Sequence, residues 1–186
     1  EYISLISNAD ETYIEREENY LKQSYRNRCY ILSPGGRHLL TVPVYLGSFH
    51  KTAIRDIRID YSKRWQQVHL RALTSSYASA PYYLYYFETF ERILLQNHEF
   101  LLDLNMELLE AVTTMLKLRV RISFTTDFVL PGNVDNDFRY RICPKKKSDH
   151  KPKPYIQVFR QENGFSGGLS IVDMLFNIGP DSIHYL

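Results

Sequence analysis

The sequence predicts an α+β fold in a single domain, with an N-terminal β-hairpin and further strands, a central helical block, and C-terminal strands with a short helix. Three observations lead to this prediction. Apolar residues alternate in the first third of the chain, recur at helical spacing between residues 61 and 118, and alternate again before a capped helix near the C terminus. No repeat or internal linker interrupts the 186 residues, so we assign residues 1–186 to one domain.

The first third of the chain carries one helical segment and several strand patterns. Apolar spacing in residues 1–9 predicts the end of a helix. The turn sequence Pro34-Gly35-Gly36 separates two apolar segments and predicts a β-hairpin. The strands predicted in this part of the chain cover residues 12–17, 28–33, 38–44 and 54–60.

Helices dominate the centre of the chain, and the C-terminal third mixes strands with one helix. The predicted helices cover residues 61–78, 82–95, 99–118 and 169–179, and the predicted strands cover residues 120–124, 138–142 and 155–159. Ser170 is a good cap for the last helix, Asp173 follows three residues later as in a capping box, and Gly179-Pro180 ends it.

Composition excludes several classes of protein. A hydrophobic fraction of 44% supports a real core and argues against disorder. A net charge of +2 argues against a dedicated nucleic-acid-binding protein, which usually has one strongly basic face. No apolar run approaches the length of a membrane span and no signal peptide is present, so we expect a cytoplasmic protein. The chain starts at Glu1 without an initiator Met, and we expect a short native N-terminal piece to be missing.

Cysteine and glycine patterns indicate neither a metal nor a known cofactor. Cys29 and Cys143 form no CxxC pair, and no Cys/His cluster has zinc spacing, so we predict no metal site. We favour two free thiols, and a Cys29–Cys143 disulfide stays open as the alternative. Gly164, Gly167 and Gly168 lie between a strand and a helix, but their spacing matches no nucleotide-binding motif, so the cofactor is unknown.

A basic cluster before the hairpin is the sharpest chemical feature of the sequence. It consists of Lys22, Gln23, Arg26, Asn27 and Arg28. If residues 24–29 are extended, Arg26 and Arg28 project to one face, where two guanidinium groups can hold a phosphate or carboxylate. The alternative, nearly as well supported, is that they pair with the acidic residues of a neighbouring strand, which are Glu11, Glu15, Glu17 and Glu18.

Three further residues or pairs suit catalysis, and each has a structural alternative. His69, four residues after Trp65 on a predicted helix, suits general acid–base chemistry, although we favour a core histidine bonded to a carbonyl or tyrosine. Cys29, beside two arginines, suits a nucleophile, although burial in the strand is favoured. Asp173 and Asn177 lie four residues apart and can face one cleft, or they cap and terminate the last helix.

The order and spacing of several motifs resemble the WbqC-like protein family. The matching segments run from about Asn19 to Gly179 and are KQSYRNRCYI, LLTVPV, RWQQVHL, LDLNMELLE and LSIVDMLFNIGP. The family's opening QPxYxP-type segment is absent here, and the lysine-rich loop before the last helix departs from the family pattern. The positions that match and are carried over are Lys22, Gln23, Arg26, Asn27, Arg28, Thr41, Pro43, Trp65, His69, Asp173 and Asn177.

The resemblance implies a role in bacterial surface polysaccharide (O-antigen or capsule) precursor biosynthesis, with acyl or aminoacyl transfer to an amino sugar as the reaction. In this hypothesis the substrate is a small molecule, either a nucleotide sugar or an activated acyl donor. The basic cluster binds its anion, Trp65 and tyrosines provide a stacking surface, and Asn177 contacts the substrate. His69 acts as the general base, and Asp173 orients it.

Two other functions stay open from the sequence. The first is a non-catalytic binding or scaffold protein of a polysaccharide-assembly complex, which we expect if the polar motif residues are buried and bonded to one another. The second is nucleic-acid binding through the lysine-rich segment 145–153, which the balanced net charge disfavours. Convergence of Arg26, Arg28, His69 and Asp173 in one pocket would favour the enzyme.

Overall fold

An α+β fold is formed by the described residues of the structure, a computed structural model that covers residues 1–45, 51–134, 136–146 and 148–186. The α-helices in this part of the chain are α1 (Tyr2–Ser7), α2 (Trp65–Tyr77), α3 (Tyr83–Leu95), α4 (Leu101–Met115), α5 (Arg160–Asn163) and α6 (Ile171–Ile178). The strands are β1 (Glu11–Ile14), β2 (Arg28–Ser33), β3 (Gly36–Thr41) and β4 (Arg121–Phe124). Two 3₁₀ segments cover Ile54–Asp56 and Gly179–Tyr185. The predicted fold class is therefore confirmed.

The predicted β-hairpin is present as β2 and β3. The two strands pair antiparallel from Arg28 opposite Thr41 to Ser33 opposite Gly36. Gly36 has φ +98°, a left-handed conformation that a residue with a Cβ atom adopts only with strain, so the glycine of the predicted turn is required here.

A second sheet joins distant parts of the chain. β1 and β4 pair in parallel, with Glu11 opposite Arg121 and Ile14 opposite Phe124. Parallel pairing aligns the carboxyl ends of both strands, so the residues that follow Ile14 and Phe124 lie at the same edge of the sheet.

The core lies where the helices pack on one another and on the hairpin. Phe176 of α6 is fully buried, and its ring lies 5.2 Å from Tyr77, 5.3 Å from Tyr83 and 5.8 Å from Phe90, measured between ring centroids. These aromatic contacts join the C-terminal helix α6 to α2 and α3, two of the three helices of the predicted central block. Within the described residues, no helix is both long and apolar enough to cross a bilayer.

Three predicted strands are not strands in the structure. Residues 54–60 begin with the 3₁₀ turn Ile54–Asp56, and only single bridges follow at Arg58 and Ile59. Residues 138–142 form a turn in which the Arg141 amide donates to the Phe138 carbonyl. Residues 155–159 keep the alternation, since Tyr155 and Gln157 are buried and Ile156 is 68% exposed. No strand in the described part of the chain pairs with residues 155–159, so the strand predicted there from alternation alone is wrong.

The condition that residues 24–29 are extended is not met before Arg28. The Ser24 hydroxyl donates to the Leu21 carbonyl over 2.7 Å and accepts from the Arg26 amide over 3.4 Å, which closes a turn. Arg26 therefore lies in a turn and Arg28 in β2, and strand alternation does not set their relative direction. Of the residues considered in the sequence, His50 and Lys147 lie outside the described residues.

Candidate functional site

The open end of the hairpin is the end away from the turn, where Arg28 lies opposite Thr41. Bonds of Asn27, in the segment Arg26-Asn27-Arg28, hold this end together. The Val42 amide donates to the Asn27 carbonyl over 2.8 Å, and the Asn27 Nδ2 donates to the Val42 carbonyl over 2.9 Å. Asn27 is only 7% exposed. Its reciprocal bonding continues the ladder one residue beyond β2 and places Arg28 opposite Thr41.

α2 brings Trp65 and His69 to the same end of the hairpin. His69 lies one turn after Trp65, and the two rings contact edge to face with centroids 5.1 Å apart. The His69 Nε2 donates to the Thr41 carbonyl over 3.1 Å. Because a carbonyl only accepts, Nε2 carries the proton and Nδ1 holds the lone pair of a neutral ring. Burial lowers the pKa of His69 to about 4, against the carbonyl bond that raises it.

His69 is buried and bonded to the Thr41 carbonyl, which is the structural alternative that we favoured from the sequence. A base with a pKa near 4 is weak at neutral pH, and none of the described hydrogen bonds links His69 to Asp173. The roles of His69 as general base and of Asp173 as its orienting partner stay predictions, and the geometry supports the structural alternative.

We expect His69 to make the protein less stable as the pH falls from about 6.5 to about 4. The unfolded chain takes up a proton on this histidine in that range while the folded chain does not, so acid favours unfolding. The lowered pKa corresponds to about 3 kcal/mol across the whole range. Urea titrations at pH 7 and pH 4.5 should show a smaller loss in His69→Gln than in wild type. His184→Gln, an exposed site, is the control. An equal loss in all three proteins would contradict this assignment.

Arg26 pairs with a glutamate, as the alternative interpretation of the basic cluster proposed. Its Nε lies 2.7 Å and its Nη2 2.6 Å from the two carboxylate oxygens of Glu18, and both side chains are largely buried. Nη2 also donates to the Arg139 carbonyl. Burial raises the pKa of Glu18, and the charge of Arg26 opposes the rise without cancelling it. The Arg26 guanidinium is thus committed to this carboxylate.

A second buried carboxylate lies at the carboxyl ends of β1 and β4, and the sequence analysis did not identify it as a site. Glu15 follows β1 directly and accepts from Thr125, which follows β4, and from the Val129 amide. Arg139 joins it with a bond of 3.3 Å and also binds Asp137. These bonds together lower the pKa of Glu15, although burial raises it. A polar residue directly after a parallel strand is the sequence signal that could have identified Glu15.

Several buried polar atoms near the hairpin end have no hydrogen-bond partner in the described part of the chain. They are the Asn27 Oδ1, the Arg28 Nε and the Trp65 Nε1. All three belong to positions that the motif resemblance singled out. Burial raises the pKa of the Tyr20 phenol, and the charges of Arg28 and Arg26 oppose this rise. Unpaired buried donors and acceptors cost free energy, so such a group of atoms suits a polar ligand.

Asp173 forms a separate buried cluster at the other end of α2. The side chain is fully buried, and its oxygens accept from Tyr77 over 2.7 Å, Tyr155 over 2.5 Å and Gln157 over 2.8 Å. Burial raises the pKa of Asp173 against these three bonds. The Asn177 Nδ2 donates to the Asp173 carbonyl over 2.7 Å, so both residues are bonded inside the fold.

The capping arrangement at α6 is confirmed only in part. Ser170 caps the helix by accepting from the Val172 amide over 3.4 Å. A capping box also needs the side chain three residues on to accept from the cap amide. Here the Ser170 amide donates to the Tyr30 carbonyl, and the Asp173 carboxylate is occupied by Tyr77, Tyr155 and Gln157. Tertiary bonds therefore replace the second half of the predicted box.

Lys22 and Gln23 lie on an exposed turn before the hairpin. Gln23 has φ +58°, a left-handed conformation that is unusual for a residue other than glycine.

Cys29 lies inside the hairpin, where burial raises the pKa of its thiol to about 11. A thiol and not a reactive thiolate is therefore present at neutral pH. Both cysteines are free.

The structure brings some of the predicted site residues together and separates others. Asn27, Arg28, Trp65 and His69 surround the open end of the hairpin, with Arg26 next to them. Asp173 and Asn177 belong to the Asp173 cluster, which contacts the other end of β2 through the bond from the Leu32 amide to Tyr77. Arg28 and Leu32 are four positions apart along β2, which corresponds to roughly 13 Å. A surface depression of about 500 Å³ near Asp10 and Arg121 is lined by none of these residues.

Comparison with known proteins gives one family and one relative. The model of the WbqC-like protein family matches residues 1–154. An uncharacterized protein of Mycobacterium tuberculosis (strain H37Rv) is 28% identical over 212 aligned positions, which cover 100% of this chain and 91% of that protein. No solved structure matches the chain significantly.

Proposed function

This chain belongs to the WbqC-like protein family, and we propose that it binds an anionic, activated precursor of bacterial surface polysaccharides at the open end of the hairpin. The residues that form this site are Asn27, Arg28 and Trp65. In the proposal the precursor is a nucleotide sugar or an activated acyl donor. The reaction is transfer of an acyl or aminoacyl group to the amino group of a sugar.

One observation carries the proposal, and it concerns Arg28. Its Nε is buried and has no hydrogen-bond partner among the described residues, whereas the neighbouring Arg26 is bonded to both oxygens of Glu18 through its Nε and Nη2. A guanidinium with an unused buried donor is suited to a phosphate or carboxylate, which accepts charge-assisted hydrogen bonds. The unpaired Trp65 Nε1 adds a second donor to the same end of the hairpin.

We expect Arg28→Gln to weaken binding of the precursor by about 10–100-fold, since a hydrogen bond to a charged group contributes roughly 1.5–3 kcal/mol. Isothermal titration of the whole chain with UDP-N-acetylglucosamine and acetyl-coenzyme A measures this change. Arg71→Gln, an exposed change on α2, is the matched control and should bind as wild type does. Equal affinity in the Arg28 variant, or no binding of either probe by wild type, would contradict the proposal.

A second candidate function rests on a different observation. Asn27, His69, Asp173 and Asn177 each bond to a group inside the fold, which is the arrangement expected for a non-catalytic binding or scaffold protein. Turnover separates the two functions. An enzyme converts a bound acyl donor and an amino sugar to an acylated sugar, whereas a binding protein returns both unchanged.

A further inference from the structure

One face of the hairpin carries two arginines and an aromatic residue. Strand alternation places Arg28, Tyr30 and Leu32 of β2 on the same face. Arg37 lies opposite Leu32 on β3, and Leu39 lies opposite Tyr30, so both belong to this face as well. Leu32 is fully buried, but Arg37 and Leu39 are exposed and Tyr30 is half-buried, so solvent reaches most of the face.

Arg37 is exposed, and its guanidinium lies along this face. Its Cζ lies 4.6 Å from the centroid of the Tyr30 ring, and its Nη2 donates to the Gly168 carbonyl over 3.1 Å. Tyr30 is two positions from Arg28, a separation of roughly 7 Å along a strand. The cation–π contact and the carbonyl bond therefore hold the Arg37 guanidinium over Tyr30, which is two strand positions from Arg28.

The hairpin residues contribute only positive charge to this face. The hairpin residues on it include no carboxylate, and Glu18, which lies nearby, is already bonded by Arg26. Two positive charges on one face suit an extended anion with two charged groups better than a single phosphate or carboxylate. Tyr25 borders the face, with its ring edge-on to Tyr30 and 39% of its surface exposed, and it offers an aromatic surface to a neighbouring sugar or base.

We propose that Arg28 and Arg37 together bind a diphosphate group, which nucleoside diphosphate sugars and coenzyme A thioesters both contain. This inference rests on the proposed function and adds Arg37 as a specificity-determining residue. Arg28 bonds one phosphoryl group through its guanidinium, Arg37 bonds the other, and the organic part extends over Tyr25.

The test compares inorganic pyrophosphate with inorganic phosphate by isothermal titration of the whole chain at low ionic strength. We expect wild type to bind pyrophosphate at least tenfold more tightly than phosphate. Arg37→Gln should lose about tenfold in pyrophosphate affinity while its phosphate affinity changes less than twofold. Arg37→Lys should retain part of the preference. Arg71→Gln is again the control, and thermal melts of all variants verify folding.

The outcomes separate this inference from the function on which it rests. If Arg28→Gln weakens pyrophosphate binding and Arg37→Gln does not, the diphosphate clamp is wrong and the Arg28 site stands. The same conclusion follows if wild type binds both inorganic anions equally. If the wild-type chain binds neither inorganic anion nor the two precursor probes, both proposals are wrong.

Discussion

Asp173→Ala is expected to destabilise the protein by about 3–5 kcal/mol, which is a large share of the stability of a typical domain. The substitution removes the acceptor for three buried donors, from Tyr77, Tyr155 and Gln157. The Tyr77 and Tyr155 hydroxyls then lie in the core without an acceptor, whereas the Gln157 amide keeps its bond to the Ser166 carbonyl. The cost of leaving a buried polar group unpaired exceeds the net gain from making the bond.

Urea unfolding at neutral pH measures this effect. Asp181→Ala is the matched control, because Asp181 is exposed and lies just after the same helix, and it should change stability by less than about 0.5 kcal/mol. Asp173→Asn should fall between the two, since its amide keeps one acceptor oxygen and replaces the other with a donor. A loss below about 1 kcal/mol in Asp173→Ala would show that the cluster does not hold the C-terminal segment to α2.

Arg26→Met is expected to destabilise the protein by about 3–5 kcal/mol at neutral pH, because it leaves the Glu18 carboxylate buried without its counter-charge. The loss should shrink at pH 5. Burial already raises the pKa of Glu18, and without Arg26 that pKa rises further, so the carboxyl takes up a proton in mild acid. Stability of the variant therefore falls as the pH rises through the raised pKa.

Chemical denaturation at pH 5 and pH 7.5 tests this prediction. Arg55→Met is the control, because Arg55 pairs with Glu17 in an exposed setting, where an ion pair contributes about 1 kcal/mol or less. Adding Glu18→Gln to Arg26→Met should recover part of the stability, since it removes the unpaired charge. If the single and double variants are equally stable at both pH values, the buried pair is not what Arg26 provides.

Much of the fold could be predicted because its elements have local causes. Apolar spacing identified the three central helices, and the turn sequence identified the hairpin. The wrong strand predictions fell where alternation was not matched by a pairing partner. Tyr155 and Gln157 alternate with an exposed residue because they reach Asp173, and not because they belong to a sheet.

The candidate site was predicted less completely. The motif positions Asn27, Arg28, Trp65 and His69 do meet at the hairpin end, although they come from two separate segments. Arg37 was missed because the predicted second strand began at residue 38, so the strand register that places Arg37 beside Tyr30 was not available. The partner of Arg26 was left open because Glu18 was one of four glutamates with similar sequence separation.

The sequence by itself determined the α+β class, the hairpin turn, the cap at Ser170 and the family, since each depends on residues that are close in the chain or on motif order. Only the tertiary structure decided which charges are neutralised. It paired Arg26 with Glu18, bonded His69 to Thr41 and enclosed Asp173 with two tyrosines, while the Arg28 Nε stayed without a partner in the described part of the chain. The physical reason is that burial and hydrogen bonding depend on distances between residues far apart in sequence, and local patterns do not encode those distances.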